Sequence, residues 1–408
     1  MKIAMDRLCR VFSRALDIIE EEQIGASEYH SMRVAALCAA MGKRLGYDDD
    51  AISALATCAL FHDNALTEFP ISEDLMSVNG RNMILHCEKG ERNVSWLPFK
   101  KNADGYILYH HERGNGKGPF CKRDGEYPFE AALIAAADSV DISFRLQDVN
   151  ASDLSSMRNR IAAEAELRST QAAITTLLDI LDEDMLKKLR DENIAETLDI
   201  SLPRWEASLS ERTIVDIAGF IAKIIDFKSE FTSKHTSQIA NRTWLMSNYY
   251  GYSNEESIAL YLAASLHDVG KIAVPTDILE KPGKLDNNQF ETIKQHVRYT
   301  HDWLSDIPGF DLIKDWAANH HEKLDGSGYS FQKKDIELDF NSRLMACIDI
   351  YQAVCEMRPY HDARSHEDTM PILYSMANRG SIDMKIVKDL DEVMARYSMQ
   401  DVPHPFHS

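Results

Sequence analysis

The sequence predicts an all-α protein composed of two copies of one helical unit. Apolar residues recur at the three- and four-residue spacing of amphipathic helices along most of the 408 residues. No convincing series of alternating apolar and polar residues with hairpin turns interrupts this pattern. Histidines of the first half also reappear in the second half at matching spacing, which indicates an internal duplication. We therefore expect two tandem helical bundles.

Capping residues locate the ends of individual helices. In the first half, Gly46 follows an apolar stripe and is a candidate C-cap. In the second half, Ser253 and Glu256 have the spacing of a capping box at the start of a helix. That helix should end near Gly270, because Pro275 lies shortly beyond it.

Five histidines in each half keep the same order and nearly the same spacing. The first and second are 32 residues apart in both halves, and the third and fourth are 24 apart. An aspartate follows the second histidine, and another lies 28 or 29 residues after the fourth. Matched histidines are offset by 205 to 210 residues, which divides the chain into residues 1–205 and 206–408. The first set is His30, His62, Asp63, His86, His110, His111 and Asp138, and the second is His235, His267, Asp268, His296, His320, His321 and Asp349.

The charge and the cysteines exclude some classes of function. Asp and Glu number 65 against 45 Lys and Arg, a formal net charge of −20, which argues against binding to nucleic-acid polymers or anionic membranes. No apolar run approaches the ~20 residues of a membrane span, and the N-terminus lacks a signal peptide. None of the seven cysteines forms a CxxC pair, and Cys38 and Cys58 lie in apolar helical patterns. We expect buried free thiols and a cytoplasmic protein.

The second set of histidines and aspartates predicts a metal centre. Five imidazoles and two carboxylates are too many donors for one ion, whereas two ions bridged by a carboxylate would use them all. Mixed nitrogen and oxygen donors favour divalent transition metals, iron or manganese above all, and the lack of a cysteine pair disfavours structural zinc. Such a site suits phosphoester hydrolysis, because two ions activate water and neutralise phosphate charge. It would also let an acidic protein hold an anionic substrate.

Residues 228–361 resemble the HD-GYP domain, a subclass of the HD superfamily of metal-dependent phosphohydrolases. Three segments carry most of the resemblance, and they are Leu266–Ile272, Ile278–Leu285 and His320–Tyr329. Single matching positions are His235, His296, Arg343, Asp349 and Arg358-Pro359-Tyr360.

The resemblance implies hydrolysis of a cyclic dinucleotide, either cyclic di-GMP or 3'3'-cyclic GMP-AMP. The products would be a linear dinucleotide and then mononucleotides, formed through a hydroxide that bridges two metal ions. It implies that His235, His267 and Asp349 hold one ion, that His296, His320 and His321 hold the other, and that Asp268 bridges them. It also implies that Lys271 stabilises phosphate charge or assists the leaving oxygen. The substrate contacts it implies are Arg343, Arg358 and Tyr329.

The second copy departs from the family pattern at a few positions. Ser330 replaces the final proline of the motif that names the family, and Gln352 stands where an aspartate is common. These two changes bear on substrate choice more than on hydrolysis. Phe231 stands where some members carry a glutamate that holds a third ion, so we expect two metal ions.

The first copy resembles a plain HD domain with a degenerate second half, followed by a helical connector over residues 150–205. Its seven histidines and aspartates are sufficient for a second metal site. However, Leu66 stands where the second copy has its lysine, and residues 115–119 differ from the matching 325–329. Because a leucine cannot neutralise phosphate, we expect this copy to be a regulatory or structural domain, with a separate nucleotidase activity as the alternative.

Two other functions of the whole chain stay open. One is a non-catalytic signalling module that binds cyclic nucleotides, and the complete ligand set together with Lys271 counts against it. The other is a general nucleotide phosphohydrolase, which the segment 325–329 disfavours because plain HD domains lack it. A homodimer or a signalling partner protein is also open.

Overall fold

The computed structural model describes residues 1–68, 80–227, 235–281, 283–356 and 364–397. The chain divides into two compact units. The first unit is Ala4–Ala207, and the second unit is Ser208–Ser408 together with Met1–Ile3. The predicted domain limits of 1–205 and 206–408 stay a prediction.

The prediction of an all-α fold is confirmed. The described residues are predominantly helical, and the β-structure among them is the pair of short strands β1 (Lys2–Ala4) and β2 (Glu206–Ser208). No helix in the described part of the chain is both long enough and apolar enough to cross a membrane. The seven cysteines are free thiols, and Cys38 and Cys58 are buried as predicted, whereas Cys121 is exposed.

The first unit is organised around one central helix, α2. Its helices are α1 (Met5–Ile24), α2 (His30–Arg44), α3 (Asp49–Leu60), α4 (Arg81–Asn93), α5 (Phe129–Phe144), α6 (Leu154–Ala163), α7 (Ala165–Arg168), α8 (Gln171–Ile180), α9 (Glu183–Lys188) and α10 (Ile194–Ser201). Helix α2 packs against α1, α3, α5, α8 and α10. Its alanines Ala35, Ala36 and Ala39 are buried, and such small side chains let neighbouring helices approach closely. After α2 the chain turns at Gly46, whose φ of 77° is the left-handed conformation expected beyond a helix C-terminus.

The second unit is also a bundle of helices, and α17 is one of its central helices. Its helices are α11 (Glu211–Phe227), α12 (His235–Tyr249), α13 (Asn254–Leu266), α14 (Thr276–Leu279), α15 (Asn287–Ser305), α16 (Asp311–Ala318), α17 (Phe340–Cys355), α18 (His366–Asn378) and α19 (Met384–Met394). Helix α17 packs against α12, α16, α18 and α19. Short 3₁₀ helices over Asn64–Glu68, Leu146–Asp148, Val269–Ala273 and Asp335–Glu337 join the longer helices of the two units.

The predicted capping box of α13 is confirmed, but its predicted end is wrong. Ser253 accepts a hydrogen bond from the backbone N–H of Glu256, and the Glu256 carboxylate accepts one from the backbone N–H of Ser253. The helix ends at Leu266, before the predicted Gly270. Gly270 belongs to the following 3₁₀ helix, where a Cβ atom would lie 2.0 Å from the carbonyl oxygen of His296. This glycine therefore permits a close approach between two segments and does not end the helix.

Candidate metal centre

Five elements of the second unit place the seven predicted ligands together. His235 is the first residue of α12, and His267 and Asp268 follow the last residue of α13. His296 lies in α15, Asp349 lies in α17, and the pair His320–His321 follows α16. His321 is partly exposed, and the other six side chains are buried. Residues far apart in sequence thus converge because each occupies a helix end or the buried face of a helix.

The ligand atoms form two neighbouring groups. One group is His235, His267 and Asp268, and the other is His296, His320 and His321, with the atoms of each group within 4.8 Å of one another. Asp349 lies beside both groups, since its Oδ1 is 3.3 Å from Nε2 of His235 and its Oδ2 is 3.6 Å from Nδ1 of His321.

Asp268 stands between the two groups and turns one oxygen toward each. Its Oδ2 is 3.2 Å from Nε2 of His267. Its Oδ1 is 3.5 Å from Nε2 of His296 and 3.8 Å from Nε2 of His320. Separations of about 3 to 3.5 Å are those between neighbouring donors that share one ion with bonds near 2.1 Å. The carboxylate therefore has the orientation of a bridging ligand.

Hydrogen bonds on the outer ring nitrogens orient the imidazoles. Nδ1 of His267 is 2.7 Å from the carbonyl oxygen of Ala264, and Nδ1 of His296 is 2.6 Å from that of Ile293. His320 makes the same bond to a carbonyl three residues earlier. A carbonyl oxygen can accept a hydrogen bond but cannot donate one, so in each ring the N–H group is at Nδ1. Nε2 then carries no proton and keeps its lone pair. This is the arrangement in which histidine binds a metal through Nε2.

His235 is oriented by a carboxylate that sequence reasoning missed. Its Nδ1 is 2.8 Å from Oε2 of Glu356, the residue that follows α17. Burial lowers the pKa of His235, but hydrogen bonds to Asp349 and Glu356 outweigh that effect and raise it to about 8. The signal in the sequence was weak, since Glu356 lies seven residues after Asp349 and outside the repeated histidine and aspartate pattern.

The donor set fits metal ions. Nε2 of His267 and Oδ1 of Asp268 are buried and make no hydrogen bond, which is costly for polar atoms without a ligand. Burial lowers the pKa of His296 to about 3 and that of His321 to about 4, so both rings are neutral near pH 7. Burial would raise the pKa of Asp268, but its electrostatic interactions with His267 and Lys271 hold that pKa well below its usual range. For His296, His321 and Asp268, these are the protonation states that metal binding requires, a neutral imidazole and an ionised carboxylate.

Of the other predicted site residues, Lys271 and Tyr329 lie beside the seven predicted ligands, whereas Arg343 is bonded to other residues. Lys271, in the 3₁₀ helix after α13, holds its Nζ 2.5 Å from Oδ2 of Asp268. The Tyr329 ring lies 4.6 Å from the His321 ring, centroid to centroid. Arg343 bonds the carbonyl oxygen of Leu338 and pairs with two aspartates, none of them predicted site residues, so its contact with substrate stays a prediction. Arg358 and Phe231 lie outside the described residues.

The glutamate of the repeated His-His-Glu triplet anchors a loop. Glu322 is buried, and its two carboxylate oxygens accept hydrogen bonds from the backbone N–H groups of Phe331, Gln332 and Lys333. The loop passes so close to this turn that a Cβ on Gly328 would lie 2.5 Å from Cα of Glu322. These contacts fix the loop that carries Tyr329 beside His321.

The first unit assembles its own seven predicted residues in the same manner. One group is His30, His62 and Asp138, and the other is Asp63, His86, His110 and His111. Asp63 again lies between them, with Oδ2 3.5 Å from Nε2 of His62 and Oδ1 3.1 Å from Nε2 of His86. Asp141 accepts the hydrogen bond from Nδ1 of His30. Leu66, which is buried and apolar, occupies the position that corresponds to Lys271 of the second unit.

The fold and the two donor sets define a class of helical proteins in which histidines and aspartates from five segments could hold metal ions. Residues 28–143 match the HD domain, and residues 220–386 also match the HD domain. The two matches together cover more than half of the chain. The chain therefore belongs to the HD domain family, with one HD domain in each half, and the predicted resemblance is confirmed.

Named relatives cover different shares of the chain. The 3'3'-cGAMP-specific phosphodiesterase 1 of Vibrio cholerae is 27% identical over 401 residues, which are 95% of this chain and 90% of that protein. The cyclic di-GMP phosphodiesterase response regulator RpfG of Xanthomonas campestris is 32% identical over 39% of this chain and 43% of its own length. A crystal structure of the V. cholerae cyclic GMP-AMP-specific phosphodiesterase V-cGAP3 shares the fold, with a TM-score of 0.68 and 20% identity over 97% of this chain and 99% of that one.

Proposed function

We propose that the protein is a metal-dependent phosphodiesterase that hydrolyses a cyclic dinucleotide in its second unit. One observation carries the proposal: Asp268 turns one oxygen toward each of two histidine groups, and Lys271 reaches the same carboxylate. The relatives named for cyclic dinucleotides support the substrate class.

The residues of the two groups could hold a pair of divalent transition-metal ions, iron or manganese, and Asp268 would contribute to both sites. Such ions supply positive charge to the phosphate and lower the pKa of a bound water. His235, His267 and Asp349 would hold one ion, and His296, His320 and His321 the other. The family match supports a metal requirement, and the mixed nitrogen and oxygen donors favour these metals over magnesium.

Lys271 and Tyr329 would have different roles in the hydrolysis. Water adds to phosphorus, the bond from phosphorus to the ribose oxygen breaks, and that oxygen must receive a proton. Nζ of Lys271 is 2.5 Å from Oδ2 of Asp268, so Lys271 would neutralise phosphate charge or protonate the leaving oxygen. Tyr329, held against His321 by the loop that Glu322 anchors, would contact the substrate.

Within this class we favour 3'3'-cyclic GMP-AMP over cyclic di-GMP. The relative named for cyclic GMP-AMP matches over 95% of the chain, including both units, whereas RpfG matches over 39%. The products would be a linear dinucleotide and, on further hydrolysis, mononucleotides.

The experiment compares wild type with His267→Ala and His62→Ala, measuring bound metal and the rates of hydrolysis of both cyclic dinucleotides. We expect His267→Ala to lower turnover by about 100-fold or more, because it removes a metal ligand from the reacting centre. His301→Ala is the matched control, since His301 is a partly exposed histidine of the same unit that pairs with Asp302. Full turnover by His267→Ala would refute the assignment, and loss with His62→Ala alone would place catalysis in the first unit.

A further inference from the structure

A buried threonine on α15 is bonded to the turn that carries two of the predicted metal ligands. The backbone N–H of Gly270 donates to Oγ1 of Thr300 over 3.0 Å, and the Thr300 hydroxyl donates to the carbonyl oxygen of His267 over 3.1 Å. The Thr300 side chain is fully buried. One hydroxyl therefore bonds both ends of the segment from His267 to Gly270, and Asp268 lies within that segment.

These bonds differ from the one that a threonine inside a helix commonly makes. There the hydroxyl bonds the carbonyl four residues earlier in the same helix. Thr243 of α12, which is also buried, does this with the carbonyl oxygen of Ile239 over 2.8 Å. The Thr300 hydroxyl instead bonds backbone groups 30 and 33 residues away in the chain. It therefore supports a contact between two segments and not the helix to which it belongs.

The turn and α15 are in close contact at this point. A Cβ atom on Gly270 would lie 2.0 Å from the carbonyl oxygen of His296 and 2.7 Å from the backbone nitrogen of Thr300. The 3₁₀ helix that contains Gly270 therefore lies directly against the turn of α15 from His296 to Thr300. Because His267 and Asp268 precede Gly270, this contact joins the elements that carry the two donor groups.

The first unit fastens its equivalent turn with a different group. Its helix α4 has Gly90 at the position of Thr300, so that position offers no hydroxyl. The side-chain amide of Asn64 donates from the turn to the carbonyl oxygens of Gly90, over 3.1 Å, and Phe61, over 2.7 Å. Of the two units, the one with the hydroxyl link is therefore the one that carries Lys271.

The hydroxyl link also bears on the position of the lysine. Lys271 follows Gly270 directly, its backbone N–H donates to the carbonyl oxygen of Asp268 over 2.9 Å, and its Nζ is 2.5 Å from Oδ2 of the same residue. A displaced turn would therefore move the lysine and Asp268 together. Reacting groups must be held to within about 0.5 Å of their productive positions, so such a displacement would impair both metal binding and the chemical step.

We infer that Thr300 is a positioning residue of the hydrolytic site proposed for the second unit, and that its hydroxyl fixes His267, Asp268 and Lys271 against α15. The inference rests on that proposed function for its effect on turnover, whereas its effect on metal binding does not depend on the substrate. Thr300 itself acts through the turn, because its hydroxyl is already engaged by two backbone groups.

The experiment compares Thr300→Val, which removes the hydroxyl and keeps the shape of the side chain, with Thr300→Ser, which keeps the hydroxyl. Thr243→Val is the matched control, because it makes the same change at another buried threonine of the same unit. All proteins are full chains that carry His62→Ala, which weakens metal binding in the first unit. Chelator competition measures manganese affinity, and kcat and KM are measured with both cyclic dinucleotides.

We expect Thr300→Val to weaken manganese binding by about tenfold and to lower kcat by about tenfold or more, because groups that support metal ligands contribute about 10- to 100-fold. KM should change little, since the lost positioning acts on the chemical step. Thr300→Ser and Thr243→Val should both resemble the parent protein in manganese affinity and kcat. The melting temperature of the metal-free protein should fall in both valine variants, because each loses a buried hydrogen bond.

Manganese affinity and kcat of Thr300→Val equal to those of Thr243→Val would overturn the inference. Equal losses in Thr300→Ser and Thr300→Val would also overturn it, because the hydroxyl would then not be the group responsible. A parent protein that binds manganese but hydrolyses neither cyclic dinucleotide would refute the proposed function instead. The manganese affinities of the variants would then decide the inference by themselves.

Discussion

At the scale of single residues, the two units orient their first histidine through different carboxylates. In the first unit Nδ1 of His30 bonds Asp141, three residues after Asp138 in α5. In the second unit that position is Gln352, whose side chain accepts from Arg242, and Glu356 bonds His235 instead. The departure noted in the sequence at Gln352 is thus compensated one helical turn further on.

Glu356→Gln should weaken metal binding in the second unit by about 10- to 100-fold, because a carboxylate behind a ligating histidine fixes its tautomer and raises its basicity. Metal content after dialysis against graded chelator measures the loss. Glu255→Gln changes an exposed glutamate in the first turn of α13 and serves as the control. Equal metal retention by both variants would show that Glu356 does not support the ligand.

A buried carboxylate in the first unit predicts a pH effect on stability. Glu20 lies on α1, and both its oxygens are buried without a hydrogen bond. Burial, with the nearby charges of Asp63 and Asp17, raises the pKa of Glu20 to about 8. The unfolded chain releases this proton near pH 4.3, so the stability contribution of Glu20 falls as pH rises from there to about 8.

Glu20→Gln removes that titration. The melting temperature of the metal-free variant, relative to metal-free wild type, should therefore increase between pH 5 and pH 8 and level off above it. Differential scanning fluorimetry across this range measures the difference, and Glu21→Gln, an exposed neighbour on the same helix, should show no such trend. A difference independent of pH would contradict the raised pKa.

At the scale of elements, each unit fastens the loop after its His-His pair with one buried glutamate. Glu112 accepts from the backbone N–H groups of Phe120 and Lys122, as Glu322 does from its own loop. The shared residue of the triplet is therefore a loop anchor, and neither metal-binding group of its unit includes it.

Glu322→Ala should destabilise the second unit by about 2 to 4 kcal/mol, because buried backbone donors lose a charged acceptor. Denaturant unfolding measures the change, and proteolysis near Tyr329 should become faster. Glu337→Ala is the control, since this exposed glutamate accepts a single N–H, from Lys334, and its loss should change stability by less than about 1 kcal/mol. Similar losses in the two variants would contradict the anchoring role.

At the scale of the whole molecule, the chain contains two donor sets of the same design with different surroundings. The second set has Lys271 beside Asp268, whereas the first has Leu66 in the matching position and a cavity lined by Arg113. Both units keep the same arrangement of histidines and aspartates, and the residues around it have diverged.

Metal removal should therefore destabilise both units. At a free metal concentration 100 times Kd, each occupied site adds about 2.7 kcal/mol to the stability of its unit. In calorimetric scans of the wild-type chain, the melting temperature should shift downward when manganese is replaced by chelator. His62→Ala and His267→Ala should each remove part of the shift, and the double variant most of it. A shift left intact by His62→Ala would show that the first unit binds no metal.

The sequence by itself determined the helical class and the duplication, and it predicted the histidines and aspartates that the fold brings together, because periodicity and spacing are local properties of the chain. It also located the Ser253 capping box, which needs two residues three positions apart. The tertiary structure alone decided the assignment of Gly270 to a close approach, the Glu356 bond to His235, and the cavity beside Arg113. Each of these depends on contacts between segments that are distant in sequence. A local sequence pattern does not specify which distant backbone or side chain a residue will contact.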